Sequence, residues 1–220
     1  MGAHLHKPRT ERWSSARRVR PTQTRSLRLL DGRVVEVRGL EPHDRQGLAA
    51  AIERLSPDSR YLRFATPKPR MTDRGLDFLL DIDHHQREAL VAVDPSTGDV
   101  VAVARYVEIP DQPRVAEVAA TVADDWQGLG LGRALLGQLV ARTREEGYST
   151  LRANVLAVNK RAIGMLVRAG FVPRPGLGVL RELELQSIRE PSAHRSPAKR
   201  ANSPALAAGD SLARAASPVE

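Results

Sequence analysis

The sequence has no cysteine among its 220 residues. Disulfides, a zinc–thiolate site and a thiol nucleophile are therefore excluded. Nowhere do 18 apolar residues run together, and no apolar segment follows the basic residues near the N-terminus. Neither a membrane span nor a secretory signal is expected, and a cytoplasmic protein is the expectation that remains. Residues 27–187 also lack net charge, with 22 basic residues against 22 acidic ones. The chain's +8 thus lies wholly in its ends: residues 1–26 hold seven Lys/Arg against one acid, and residues 188–220 five against three. Both ends are rich in Pro, Ser, Ala and Arg and poor in large apolar residues, so they are expected to stay disordered around one domain at 27–187. The basic arm, with Arg17-Arg18-Val19-Arg20, reads either as a weak foothold on nucleic acid or as a solvating tail.

The most informative stretch runs from Val118 to Leu139. An apolar run, Val115 to Ala123, stops at Asp124-Asp125, and a glycine-studded turn follows it, Gln127-Gly128-Leu129-Gly130-Leu131-Gly132. A helix begins inside this turn, with Leu131, Leu135 and Leu139 at i, i+4, i+8 and Leu136 and Val140 widening the stripe. A strand, a glycine turn and a helix together present unpaired N–H groups to an anion. Glycines at 128, 130 and 132 allow a diphosphate to approach the main chain. A Walker loop is excluded, because Gly132 is followed by Arg133-Ala134 instead of Lys-Ser/Thr. A dinucleotide fingerprint is excluded as well, because its third glycine would fall on Arg133 or Leu135.

What remains is Gln-x-x-Gly-x-Gly, carried by Gln127, Gly130 and Gly132. In its strand–helix setting it resembles the acetyl-CoA pyrophosphate loop of the GNAT acetyltransferase superfamily. A second segment, Leu55-Ser56-Pro57-Asp58-Ser59-Arg60-Tyr61-Leu62-Arg63-Phe64, resembles the acceptor-side helix of Pat-type protein lysine acetyltransferases. The element order agrees. An extended pair flanks Asp31-Gly32. Helices follow over Pro42–Leu55 and Asp58–Phe64, and a third is capped by Thr72, with Leu76, Phe78, Leu79, Leu80 and Ile82 as its buried side. Strands at Glu88–Asp94, Val100–Ile109 and Val115–Ala123 precede the glycine turn. Thr150–Leu156, a helix over Asn159–Ala169, a strand restarting at Gly170-Phe171 and a closing strand at Val179–Leu185 complete the chain. The resemblance implies an α/β (α+β) GNAT fold, a mixed sheet of six to seven strands with helices on both faces.

Acetyl transfer to an amine requires the neutral amine. A lysine of reference pKa ~10.4 is more than about 99.9 % protonated at pH 7, so deprotonation costs about 4–5 kcal/mol. A nearby base must take that proton. Glu117 stands in an otherwise apolar strand and shares a face with Ala119, Thr121 and Ala123. It matches the strand-four glutamate that serves many GNAT enzymes as general base. Partial burial is expected to lift it above its reference pKa of ~4.3.

The resemblance further implies acetyl-CoA as cosubstrate and no metal. Main-chain groups of Val122 and Ala123 would hold the pantetheine arm. The N–H groups of Gln127, Gly128, Leu129, Gly130, Leu131, Gly132 and Arg133 would take the pyrophosphate, with Arg133 adding charge and Asn159 contacting the arm. Arg60, Tyr61 and Arg63 would line the acceptor side. Many GNATs place a tyrosine seven residues after this asparagine to protonate the leaving thiolate, whereas here that position is Leu166. His84-His85 reads as solvated loop histidines, Asp124-Asp125 as a cap on the helix that follows, and Trp126 as packing locally. The expected acceptor is a primary amine, a protein lysine before a small molecule. The alternative of another class is a non-catalytic acetyl-CoA sensor whose basic arm contacts nucleic acid.

Overall fold

The computed structural model describes residues 23–64, 71–176 and 178–186. The tail at 188–220 and nearly all of the expected arm lie outside these residues. Eight strands form one mixed sheet in the order β1-β2-β3-β4-β5-β6-β8-β7, one strand more than the upper expectation. β1 (Arg25–Arg28) starts within the segment expected to be the arm and pairs with β2 (Val34–Gly39) around the Asp31-Gly32 turn. β3 (Arg87–Val93), β4 (Val100–Glu108) and β5 (Val115–Val122) continue the antiparallel meander. β6 (Thr150–Leu156) is parallel to β5. Leu180–Gln186 forms β8, which does not close the sheet as expected. It inserts between β6 and the two-residue edge strand β7 (Val172–Pro173).

The sequence dictates the helices through their apolar stripes. α4 (Leu131–Glu145) buries Leu131, Leu135, Leu136, Leu139 and Val140 against one face of the sheet, and α5 (Lys160–Arg168) adds Leu166 to that core. The opposite face carries a second core, built from Leu48 and Ile52 of α1 (Arg45–Glu53), Leu76 of α3 (Asp73–Leu80) and Phe64 of α2 (Pro57–Phe64). β3, sandwiched between the two, is buried along its whole middle, which is why it reads as a continuous apolar run. Thr72 caps α3 as expected, accepting from Gly75 N–H at 3.1 Å. Phe78, expected on the buried side of α3, is 57 % exposed.

Candidate active site

The site begins where the sheet opens. β5 and β6 pair only through Val115↔Thr150, Ala116↔Leu151 and Glu117↔Arg152. β5 continues to Val122 against β4 alone. Ala123 N–H donates to Val101 O at 2.8 Å and Ala123 O accepts from Trp126 N–H at 2.9 Å. Both main-chain groups of Ala123 are thus engaged within the fold. By strand alternation, Ala120 and Val122 direct their main-chain groups away from β4, into the gap that β6 leaves. Of the two expected contacts for a pantetheine arm, Val122 faces that gap and Ala123 does not.

At the open end of β5 a short 3₁₀ turn, Asp124–Trp126, leads through Gln127 to α4. Gly128 at φ +81° and Gly130 at φ +89° lie in the left-handed region, and Gly130 is the N-cap of α4. Leu129 between them is partly buried and packs on the first core, Leu131 is buried, and Arg133 is exposed on the first turn of α4. Gly132 contributes in a different way, through close packing. A Cβ there would come within 3.3 Å of Met165 Sδ and 3.5 Å of Val122 Cγ2, so its smallness seats α4 against β5 and α5.

Gln127 ties three elements to this turn. Its Nε2 donates to Val122 O and Ser59 Oγ, each at 3.1 Å, while its Oε1 accepts from Arg161 of α5 at 2.9 Å. Asn159 caps α5, its Oδ1 accepting from Ala162 N–H at 3.0 Å, which leaves its Nδ2 as the donor it can offer a ligand. Leu166 is 5 % exposed and belongs to the core beneath α5.

The Asp124-Asp125 pair does not cap the helix that follows it. Asp124 accepts from Ser56 N–H at 2.8 Å and from the hydroxyls of Ser56 and Ser59, so it fastens the start of α2 instead. Burial opposes its ionisation, but these hydrogen bonds prevail and hold its carboxyl below the ordinary value. Asp125 offers its carbonyl to Arg33 at 2.8 Å, and the Arg33 guanidinium lies 4.1 Å from the centre of the Trp126 ring. Trp126 thus packs locally, as expected.

On the α1–α3 side of the sheet, Glu117 is exposed, against the expectation of partial burial. It makes no ion pair among the described residues. The three residues expected on the acceptor side divide. Arg60 turns back, its Nη2 donating to Glu53 O and Leu55 O at the end of α1. Tyr61 is 41 % exposed. Arg63 reaches over the sheet, its Nε donating to Thr121 Oγ1 at 3.0 Å. Burial pushes its guanidinium pKa down, and Glu117 partly counters this.

Arg63, Arg105, Thr121, Phe64, Leu79 and Ala119 contribute to a small cleft between the helices and the strands. Sequence reasoning passed over Arg105, although the signal that singled out Glu117, a charge inside the apolar run Val100–Ile109, applied equally to it. Arg161, beside Gly128 and bonded to Gln127, was also passed over. The two histidines lie in the loop before β3 and stay partly exposed, but each has a carboxylate partner. His84 Nδ1 lies 3.0 Å from the buried Glu88 and His85 Nδ1 2.6 Å from Glu146, far from the gap at the other end of β3 and α4. No group of three or more His, Asp or Glu that could hold a metal occurs among the described residues, and none of the described helices is long and apolar enough to cross a membrane.

Residues 50–171 match the family model described as "Acetyltransferase (GNAT) family". An acetyltransferase of Pseudomonas aeruginosa is 35 % identical over 144 residues, 64 % of this chain and 77 % of that protein. Acetyltransferase Pat of Mycolicibacterium smegmatis is 33 % identical over 127 residues, 57 % of this chain but only 38 % of the relative's length. Among solved structures, the GNAT domain of S. lividans PAT superposes with a TM-score of 0.68 at 29 % identity, covering 74 % of this chain and 96 % of that one. A cAMP-binding acyltransferase from Mycobacterium smegmatis gives 0.54 at 26 % identity, covering 80 % and 51 %. A family match over more than half of the chain, on a sheet that splits beside a glycine turn, places this protein in the GNAT acetyltransferase family.

Proposed function

We propose that this enzyme transfers acetyl from acetyl-CoA to a protein lysine, with Glu117 as general base. The observation that carries the proposal is the alignment of three features along β5: Glu117 on the helix-side face, the gap beside Ala120 and Val122, and the glycine turn at the strand's end. Members of the family use acetyl-CoA as cosubstrate, and the residues present fit it. The N–H of Val122 would hold the pantetheine arm like a neighbouring strand, its carbonyl already accepting from Gln127 Nε2. The N–H groups from Gln127 to Arg133, at a helix N-terminus with two left-handed glycines, would receive the pyrophosphate. Ala123 is the exception, because its main chain is already committed.

Bound there, the cosubstrate supplies an acetyl thioester. Glu117, exposed and without an ion-pair partner among the described residues, accepts the ammonium proton directly or through water. The amine then forms the new C–N bond, and the released thiolate takes a proton. The position that often supplies it from tyrosine is here the buried Leu166, so water or the departing ammonium proton serves. Protein lysine is favoured over a free amine because the segment Leu55–Phe64, which contains α2, resembles the acceptor side of Pat-type domains, and because named relatives include Pat. The basic arm, nearly all of it outside the described residues, is at most a weak contact to nucleic acid.

Thiol release from acetyl-CoA, measured with lysine-containing protein acceptors, tests this reading. Wild type is expected to turn over well above background, and Glu117→Gln to lose about 10²-fold or more in kcat. Turnover that survives the substitution places the base elsewhere. Acetyl-CoA binding without any turnover favours the sensor.

A further inference from the structure

Arg105 is the most unusual cation in the molecule. It is 5 % exposed, in the middle of β4. Its strand neighbours are Ala89, which is buried, and Ala119. Nη1 makes only a long contact, 3.4 Å to Phe78 O, and the guanidinium lies 4.8 Å from the Phe78 ring centre. Nε and Nη2 are buried and have no hydrogen-bond partner among the described residues. Arg63, lining the same cleft, donates to Thr121 and likewise has no carboxylate within ion-pair distance among the described residues. Burial, and then the charges of Arg63 and Arg87, push the Arg105 pKa down to about 10, so it stays cationic at neutral pH. Glu117 and Asp81 act on Arg63 and Arg105 only from beyond ion-pair distance, and two buried arginines with no carboxylate in contact among the described residues are unfavourable unless something completes them.

The missing group is legible from which atoms lack partners. Nε–H and the adjacent Nη2–H point in parallel from one edge of the guanidinium plane. That edge pairs with both oxygens of a single carboxylate. We propose that the acceptor amine carries a nearby carboxylate, which Arg105 binds through Nε and Nη2 with Arg63 as the second cation. This rests on the acetyl-transfer reading of the site. Arg63 spans the distance: it lines the cleft and also lies within electrostatic reach of Glu117. Binding the carboxylate at one end therefore orients the amine toward the base at the other. The carboxylate belongs either to a free amino acid or to an acidic side chain beside a target lysine, and the chemistry of recognition is the same.

Acceptor pairs that differ only in carboxylate against carboxamide separate the two sources. One series sets free amino acids against their amides, and the other sets lysine peptides flanked by Asp or Glu against the same peptides with Asn or Gln. With saturating acetyl-CoA, wild type is expected to prefer the charged member by about thirtyfold or more in kcat/KM, chiefly through KM, in one series. In Arg105→Met the ratio should collapse to about threefold, and Arg105→Lys should recover part of it. Removing a buried, incompletely paired cation should leave the melting temperature of Arg105→Met equal or higher, so loss of preference is not loss of fold. A second readout needs no turnover: the Arg105 Nε–H resonance, followed by NMR during titration with N-acetylglycine, N-acetylglycinamide and inorganic phosphate. A shift with N-acetylglycine alone supports the proposal even if Glu117 proves not to be the base. No preference in either series together with no shift, a shift with phosphate alone, or an Arg105→Met defect equal for both members of each pair would overturn it.

Discussion

Asp124 accepts a hydrogen bond from Ser59 Oγ at 2.5 Å, joining two residues 65 positions apart in the chain. The same carboxylate takes Ser56 N–H and Ser56 Oγ, and Ser56 Oγ in turn caps Ser59 N–H at 3.2 Å. One side chain thus fixes the start of α2, on the acceptor side, to the end of β5, on the cosubstrate side. Asp124→Ala is expected to lower stability by about 1 kcal/mol, as the loss of a helix cap does. It should also raise KM for both substrates, because both binding elements lose their shared anchor. A melting curve and two-substrate kinetics check this. A stability loss with both KM values unchanged would restrict Asp124 to a folding role.

The two glycines at the start of α4 should respond differently to alanine. Gly130 sits at φ +89°, where a Cβ meets Leu30 only at ordinary contact distance, so the cost is conformational, about 1–2 kcal/mol. Gly132 has no positive φ, and its added Cβ meets the end of a flexible methionine, which can move aside. Gly130→Ala is therefore expected to destabilise more than Gly132→Ala and to weaken acetyl-CoA binding more. Denaturant titration and calorimetry give both comparisons.

Placing a tyrosine at 166 should not create an acid for the leaving thiolate. Leu166 is 5 % exposed in the core under α5, so Leu166→Tyr must force a larger, polar ring into packed apolar surroundings. The expected result is a loss of about 1–3 kcal/mol in stability with no gain in kcat. A rise in kcat would show that the position reaches the reacting atoms.

Much of this was legible from local pattern. The spacing of Leu131, Leu135 and Leu139 located α4, alternation assigned Glu117 its face, and Thr72 signalled the start of α3. What escaped depended on partners distant in sequence. Nothing near Asp124 indicates that it caps a helix starting at Pro57. Nothing near Leu180 indicates that β8 slips between β6 and β7, since strand order is settled by long-range pairing. His85 lacked any local sign of Glu146, 61 positions away. Arg60 and Arg63 are three residues apart on one helix, yet one bonds carbonyls at the end of α1 and the other reaches β5.

The acid limb of stability should report Asp44. Its side chain is 4 % exposed and receives both Nη atoms of Arg38 at 2.7 Å, with Glu41 N–H at 2.8 Å. Burial raises its pKa, but Arg38 and the Glu41 N–H outweigh this and depress it in the folded state. A depressed carboxyl contributes its full stabilisation above the unfolded value of ~3.9, and that contribution fades as pH falls through the lower folded value. Stability of the wild type is thus expected to drop on acidification below about pH 4. Asp44→Asn should be less stable at pH 7 by about 1.5–3 kcal/mol and should lose less on acidification. Urea titrations between pH 2.5 and 7 measure both slopes.

The three-residue ladder between β5 and β6 has a thermodynamic consequence. Past Glu117 the two halves of the sheet separate, and the main-chain edge of β5 along the gap waits for a substitute strand. A cosubstrate lying there stabilises the folded chain by mass action, by about 2.7 kcal/mol when present at one hundred times its Kd. Resistance of this protein to unfolding and proteolysis is therefore expected to rise with the concentration of its acyl donor relative to the Kd.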